Sequence, residues 1–243
     1  MKTLALLLFT AVIGLPLTVA SGGETQKLLR VCFISGSAEY ESDKSLPILQ
    51  KYLESKHKTV STWAIAKSDK DLPGLENLDK CDVAVLFTRR LKLEGDQLER
   101  IKKYCTSGKA LVGIRTASHG IQTWLDLDQE VFGGNYKNHY PKGPLCGVNL
   151  TEVKKERPIL DGVKPFKSKA SLYRNTGLAK DVDILLTGSI PGHTEPIAWT
   201  RSYKGGRIFY TSLGDQKDFE EESFLRLMTN AILWAADRAP RKK

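Results

Sequence analysis

Two apolar patterns alternate along the first half of the chain. Leu28–Ile34 is a short continuous apolar run that ends at Ser35-Gly36-Ser37, as a strand covered on both faces reads where it enters a loop. Asp82–Thr88 and Ala110–Ile114 read the same way, and Thr59–Ala66 predicts a weaker strand. Between them apolar residues fall at helical spacing. Leu46, Leu49 and Leu53 predict one helix, with Ser42 or Ser45 expected as its cap and Pro47 tolerated in its first turn. Leu98, Ile101 and Cys105 predict another that stops near Gly108. Strands alternating with helices imply a parallel sheet with helices on both faces.

The second half changes character. Val148 and Leu150 alternate with polar residues, and Asp183–Gly188 predicts a further strand. Pro196–Ser202 and Arg207–Ser212 flank Tyr203-Lys204-Gly205-Gly206, a hairpin signature. Phe224, Leu227, Met228, Ala231, Trp234 and Ala235 share one face of a final helix. Glu220, Glu221 and Glu222 lie at its positive end and Arg238 at its negative end. No repeat or linker interrupts the pattern, so residues 21–243 are expected to form one domain.

Residues 1–20 stand apart. Lys2 precedes the apolar run Leu4–Ile13, Pro16 interrupts its end, and Thr18-Val19-Ala20 offers small residues to a signal peptidase. The pattern predicts a secretory signal peptide, too short to span a bilayer at about 20 residues per crossing. An exported, periplasmic or secreted protein with no stable membrane insertion is therefore expected. The 243 residues carry a formal charge of +9, spread along the chain apart from a cluster at Arg238, Arg241, Lys242 and Lys243. A nucleic-acid protein would gather that charge on one face among aromatic side chains, so no nucleic-acid partner is expected. The cysteines Cys32, Cys81, Cys105 and Cys146 contain no C-x-x-C spacing. They are expected as buried unpaired thiols; one disulfide is open to them, and spacing assigns no pair.

Candidate chemistry lies where strands end, since ligands of open α/β sheets sit outside the carboxyl ends of the strands. Arg89 and Arg90 follow one predicted strand and Arg115 follows another, so three guanidinium groups are expected on one rim. Their planar donors suit carboxylates, phosphates or neighbouring hydroxyls. Pairing with Glu39 or Glu94 is an equal expectation for Arg89 and Arg90, whereas Arg115 is expected to project into the crevice. The strand-to-helix corner resembles a nucleophile elbow, but Arg115 occupies it and cannot attack. Thr116 or Ser118 is expected to cap a helix. His119, His139 beyond the segment Phe132–Asn138, and Asp215 at another strand exit could together transfer protons, with Ser118 and Tyr136 as further ligand contacts. A metal bound by the same three ranks below proton transfer, because no H-x-H or H-E-x-x-H spacing is present; neither metal nor other cofactor is expected.

Several stretches carry a family resemblance. They are Phe87-Thr88-Arg89-Arg90, Gly113-Ile114-Arg115-Thr116-Ala117-Ser118-His119, Gly133-Gly134-Asn135-Tyr136 with His139, Pro196–Arg201, Gly206–Gly214 and Asn230–Ala235. In this order they resemble the ThuA-like (trehalose-utilisation) family. The resemblance implies a three-layer α/β/α sandwich, flavodoxin-like and similar to class I glutamine amidotransferases, with a mostly parallel sheet and a C-terminal antiparallel hairpin. Amidotransferases carry their cysteine nucleophile where this chain has Arg115, so that activity is not expected. Many family members read Gly-His where this chain has Gly214-Asp215, and an acid often precedes the Leu-Tyr pair that here follows Ser171. The resemblance implies a small-molecule sugar ligand, a glucoside or an oxidised keto disaccharide, on which His119, His139 and Asp215 are expected to act by acid/base chemistry. A catalytically silent carbohydrate-binding protein and a metal-dependent hydrolase are the alternatives.

Overall fold

The computed structural model describes residues 28–152 and 157–238. The expected signal peptide and the basic residues 241–243 lie outside these. In chain order the first half forms β1 (Leu29–Gly36), α1 (Ser42–Glu54), β2 (Thr59–Ile65), β3 (Val83–Thr88), α2 (Gly95–Thr106) and β4 (Ala110–Ile114). The second half forms β5 (Asn138–His139), β6 (Cys146–Leu150), β7 (Phe166–Ser168), β8 (Tyr173–Arg174), β9 (Asp183–Ile190), β10 (His193–Tyr203), β11 (Gly206–Thr211) and α3 (Glu222–Ala235). Nine strands build one sheet in the order β2-β1-β3-β4-β11-β10-β9-β6-β7, and β5 pairs β8 apart from it.

The continuous apolar runs serve two cores at once. Along β1, Val31 and Phe33 enter one cluster while Cys32 and Ile34 enter the other. β3 divides the same way, with Val83, Val85 and Phe87 against Ala84 and Leu86. Leu46, Leu49 and Leu53 of α1 and Phe224, Leu227 and Met228 of α3 cover the first face. Ile101, Tyr104 and Cys105 of α2 cover the second. Each large side chain so buried contributes roughly 1.5–3 kcal/mol. The result is the expected three-layer α/β/α arrangement. No helix among the described residues is long and apolar enough to cross a membrane.

From β2 to β11 neighbouring strands are parallel, and from β11 to β7 they are antiparallel. The predicted hairpin is β10–β11, turning through Lys204 at φ 48° and Gly205 at φ 85°, the left-handed pair that a two-residue turn requires. The antiparallel part extends beyond that hairpin, because β9, β6 and β7 continue the sheet past β10.

Neither Ser42 nor Ser45 caps α1: its N-cap is Glu41, at φ 44°, with no side-chain cap bond. Ser42 is the first helical residue, and its hydroxyl accepts from the Ser37 N–H at 2.8 Å. Ser45 donates instead to the Tyr40 carbonyl at 3.0 Å. The stop after α2 is as expected. Gly108 has φ +76°, and a Cβ there would lie 2.2 Å from the Lys204 carbonyl oxygen. Gly108→Ala is therefore expected to lower stability by about 1–2 kcal/mol, read as a fall in Tm. An unchanged Tm would mean that the hairpin moves aside freely.

Candidate functional site

The order β2-β1-β3 makes the carboxyl ends of β1 and β3 the switch point of the parallel half, and β4 ends beside them. After Ile114 the chain turns through Arg115 at φ 47°, a left-handed corner, into a single 3-10 turn over Arg115–His119. This is the elbow anticipated from sequence, and an arginine holds it. Thr116 and Ser118 lie inside that turn and cap no helix. Thr116 Oγ1 is 3.3 Å from the Ser37 hydroxyl, and Ser118 Oγ is 3.1 Å from His119 Nδ1.

A cavity of about 450 Å3 opens beside this turn, lined among others by Arg90, Ser118, His119, Asp126, Asp128 and Tyr136. The His119 imidazole stacks on the Tyr136 ring with centroids 4.4 Å apart and planes 17° from parallel. Tyr136 in turn packs on Tyr173 at 4.5 Å. Burial depresses the His119 pKa to about 4, helped by Arg89, Arg90, Arg115 and His139. The ring is thus neutral near pH 7, a hydrogen-bonding group and a poor base. His139 sits on β5 opposite Tyr173. Its Nδ1 lies 2.8 Å from the Tyr140 carbonyl, so in the neutral ring Nδ1 donates and Nε2 is left to accept.

The three arginines do not share one rim, contrary to expectation. Arg90 is exposed on the cavity, and no acid among the described residues pairs with it. Arg89 is paired with Glu39 at 2.5 Å and faces a neighbouring depression of about 410 Å3 that also holds Ser37 and Lys67. Arg115 is 1% exposed, so the expectation that it projects into the crevice is corrected. Its guanidinium lies between the rings of Tyr40 at 4.5 Å and Tyr173 at 4.7 Å. It donates to the Ser212 carbonyl at 2.6 Å and to Ser171 Oγ at 3.1 Å, the residue before the Leu-Tyr pair. Charge on Arg115 still reaches His119 from beneath.

Asp215 does not join the histidines. Its carboxylate accepts from the Lys217 N–H at 3.1 Å and caps the 3-10 turn Gln216–Glu220. The buried acid next to it is Asp218, which accepts from Gly214 N–H at 2.8 Å and from the Ser168 hydroxyl at 2.7 Å. Burial raises its pKa to about 6, opposed by those bonds and by Arg115.

The buried acid at the cavity, beside the exposed Asp126, is Asp128, which pattern reading passed over. It is 6% exposed, in the turn Asp128–Phe132. Its Oδ2 accepts from the Tyr136 N–H at 2.7 Å, while Oδ1 has no partner among the described residues. Gly134 is required beside it, since a Cβ there would fall 2.1 Å from Oδ1. Burial raises the carboxyl to about 6, against the Tyr136 N–H and Lys137. The segment is pinned from below, where Trp199 Nε1 donates to the Phe132 carbonyl at 2.8 Å. The available signal was an acid set among Leu127, Val131 and Phe132 just before Gly133-Gly134. Among the described residues no cluster of three or more His, Cys, Asp or Glu is placed to hold a metal ion.

A half-parallel α/β/α sandwich with a polar cavity beside the turn that leaves β4 and an arginine at the elbow defines the class. The chain belongs to the ThuA family, described as trehalose utilisation, whose sequence profile matches residues 30–235. It is similar to a ThuA-like protein of Parabacteroides merdae at 19% identity and TM-score 0.70, covering 89% of this chain and 93% of that one. A ThuA-like protein of Bacteroides uniformis is 19% identical at TM-score 0.65, covering 85% and 91%. The fold also recurs within a β-galactosidase of Bacillus circulans, at 11% identity and TM-score 0.58, covering 87% of this chain but 32% of the enzyme. At these identities the likeness establishes the fold. No curated protein sequence matches.

Proposed function

We propose that this ThuA-family protein is exported and binds or processes a glucoside or an oxidised keto disaccharide in the cavity beside His119. The observation that carries the reading is the stacked His119–Tyr136 pair in the wall of a 450 Å3 cavity that also exposes Arg90. Aromatic faces receive the apolar faces of sugar rings, and donors such as Arg90 and Gln122 receive hydroxyls or a carbonyl oxygen. That volume suits one or two sugar rings. The acid/base groups would be His119, His139 and a carboxyl, and burial at the cavity favours Asp128 over Asp215 for that role. Arg115 would act from below, holding Tyr173 and the charge balance, with Ser118 lining the cavity and Arg89 adding its charge from the neighbouring depression. The elbow arginine argues against amidotransferase chemistry. The apolar run Leu4–Ile13 before Thr18-Val19-Ala20 supports export, which N-terminal sequencing of the protein recovered from outside the cytoplasm would test.

Calorimetry with trehalose and its keto derivatives is expected to show saturable binding that weakens at least tenfold in His119→Ala. Product analysis of the same mixtures should show turnover that collapses in both His119→Ala and His139→Ala. Unaltered binding in His119→Ala would remove the site. One observation favours a silent binding protein as the second reading: the pKa of about 4 makes His119 a weak base. Binding without any product would select it.

A further inference from the structure

We propose that the sugar bound beside His119 carries a carboxylate, as a uronic acid does, and that Arg90 is the residue that selects it. The proposal rests on the sugar reading above and narrows it to one substrate class. Arg90 follows the exit of β3 and lines the cavity with Ser118, His119 and Tyr136. Its φ of 54° lies in the left-handed region, a conformation unfavourable to any residue with a side chain. The backbone is fixed on either side of it. Arg89 N–H donates to the Gly36 carbonyl at 3.0 Å, and Leu91 N–H donates to the Gly120 carbonyl at 2.8 Å. The Leu91 carbonyl accepts from Gln122 N–H at 2.7 Å. Between these anchors, consecutive guanidinium groups face different cavities, Arg89 the neighbouring depression and Arg90 the cavity of His119.

The two arginines differ in what they hold. Arg89 is paired with Glu39, whereas Arg90 has no ion pair or side-chain hydrogen bond among the described residues. Lys137 lines the same cavity from the segment before β5, and no acid among the described residues pairs with it either. The acids of the cavity leave both cations unmatched. Asp126 is exposed and pairs with neither, and Asp128 is buried with its Oδ2 engaged by Tyr136 N–H. Positive charge also reaches the stacked rings. Burial, then Arg89, Arg90 and Arg115, lowers the His119 pKa; burial raises that of Tyr136, and the same three arginines oppose it. A neutral sugar would leave this potential and the free guanidinium unanswered. A carboxylate answers both, because its two oxygens accept paired N–H bonds from the planar fork and its charge sits where the arginines concentrate positive potential. Carried directly on a sugar ring, it leaves that ring the His119–Tyr136 stack to lie against.

The test is calorimetry with trehalose and with its uronic acid, in which one C6 hydroxymethyl group has become a carboxylate. The parent is expected to bind the uronic acid about tenfold tighter than trehalose, the gain of a charge-assisted bond over a neutral one. High salt should erode that preference, because Arg90 is exposed. Arg90→Gln and Arg90→Gly should both abolish it while changing trehalose affinity by less than about threefold. Arg90→Lys keeps the charge without the fork and should retain part of it. Arg90→Gly should melt no lower than the parent, since glycine adopts the left-handed φ freely, so the lost preference is not lost folding. Equal affinity of the parent for the two sugars, or a preference that survives Arg90→Gln, would overturn the carboxylate assignment and leave the sugar site standing. Trehalose 6-phosphate binding about tenfold tighter than the uronic acid would overturn it in favour of a phosphate. A parent that binds none of these sugars would overturn the assignment and the sugar reading together.

Discussion

Trp199→Ala is expected to destabilise the protein by about 3–5 kcal/mol, the usual cost of truncating a fully buried aromatic. Trp199 is 0% exposed, packs on Tyr210 at 4.7 Å and donates to the Phe132 carbonyl. Truncation leaves a cavity and an unsatisfied buried acceptor together. Because the Phe132 contact holds the turn that carries Asp128, ligand affinity should fall beyond what the unfolded fraction explains. Trp199→Phe should keep most of the stability and lose the hydrogen bond. Denaturant melts of both variants give the first quantity, and calorimetry on the folded fraction gives the second. Equal stability of Trp199→Ala and the parent would refute the packing account.

At pH 7 Asp128→Asn should be more stable than the parent by about 2–3 kcal/mol, and should lose turnover if Asp128 exchanges protons. The carboxyl is raised from 3.8 to about 6 in the folded protein. Between those values the folded state holds a proton that the unfolded state has released. The parent therefore loses stability as pH rises from about 4 to about 6, and the loss is complete above that. Asparagine carries no such proton, and its carbonyl can still accept from Tyr136 N–H. The gain should shrink to nothing near pH 4. His119 contributes with the opposite sign, because its folded pKa of about 4 removes stability as pH falls from 6.5 towards 4. Tm measured against pH for Asp128→Asn and His119→Ala separates the two trends. A constant offset for Asp128→Asn across this range would show that its carboxyl is not perturbed.

Continuous apolar runs reported the central strands because each must fill two cores, as Val31 and Cys32 do from adjacent positions. The strands β5, β7 and β8 span two or three residues and gain their pairing from tertiary neighbours, so periodicity had nothing to register. At the site, the clustering of His119 with Tyr136 was legible from motifs at strand exits. The direction of Arg115 was not, since it depends on a left-handed corner and on two tyrosines, Tyr40 and Tyr173, far apart in the chain. Asp215 and Asp218 stand three residues apart, and sequence alone gives no ground for choosing which one the fold buries. Asp128 had a signal in its apolar neighbours Leu127, Val131 and Phe132, but its interest arises from desolvation, which only the fold supplies.

The parallel seam between β4 and β11 joins residues 111–114 to 208–211. During synthesis the ribosome releases β1 to β4 long before their partner exists. The emerging half already carries His119 and Arg90, yet the underside of the cavity waits for Trp199 and Tyr210. If the cavity binds as proposed, ligand competence arrives late in biogenesis, and a nascent chain arrested before β11 would display the rim of the cavity without a floor.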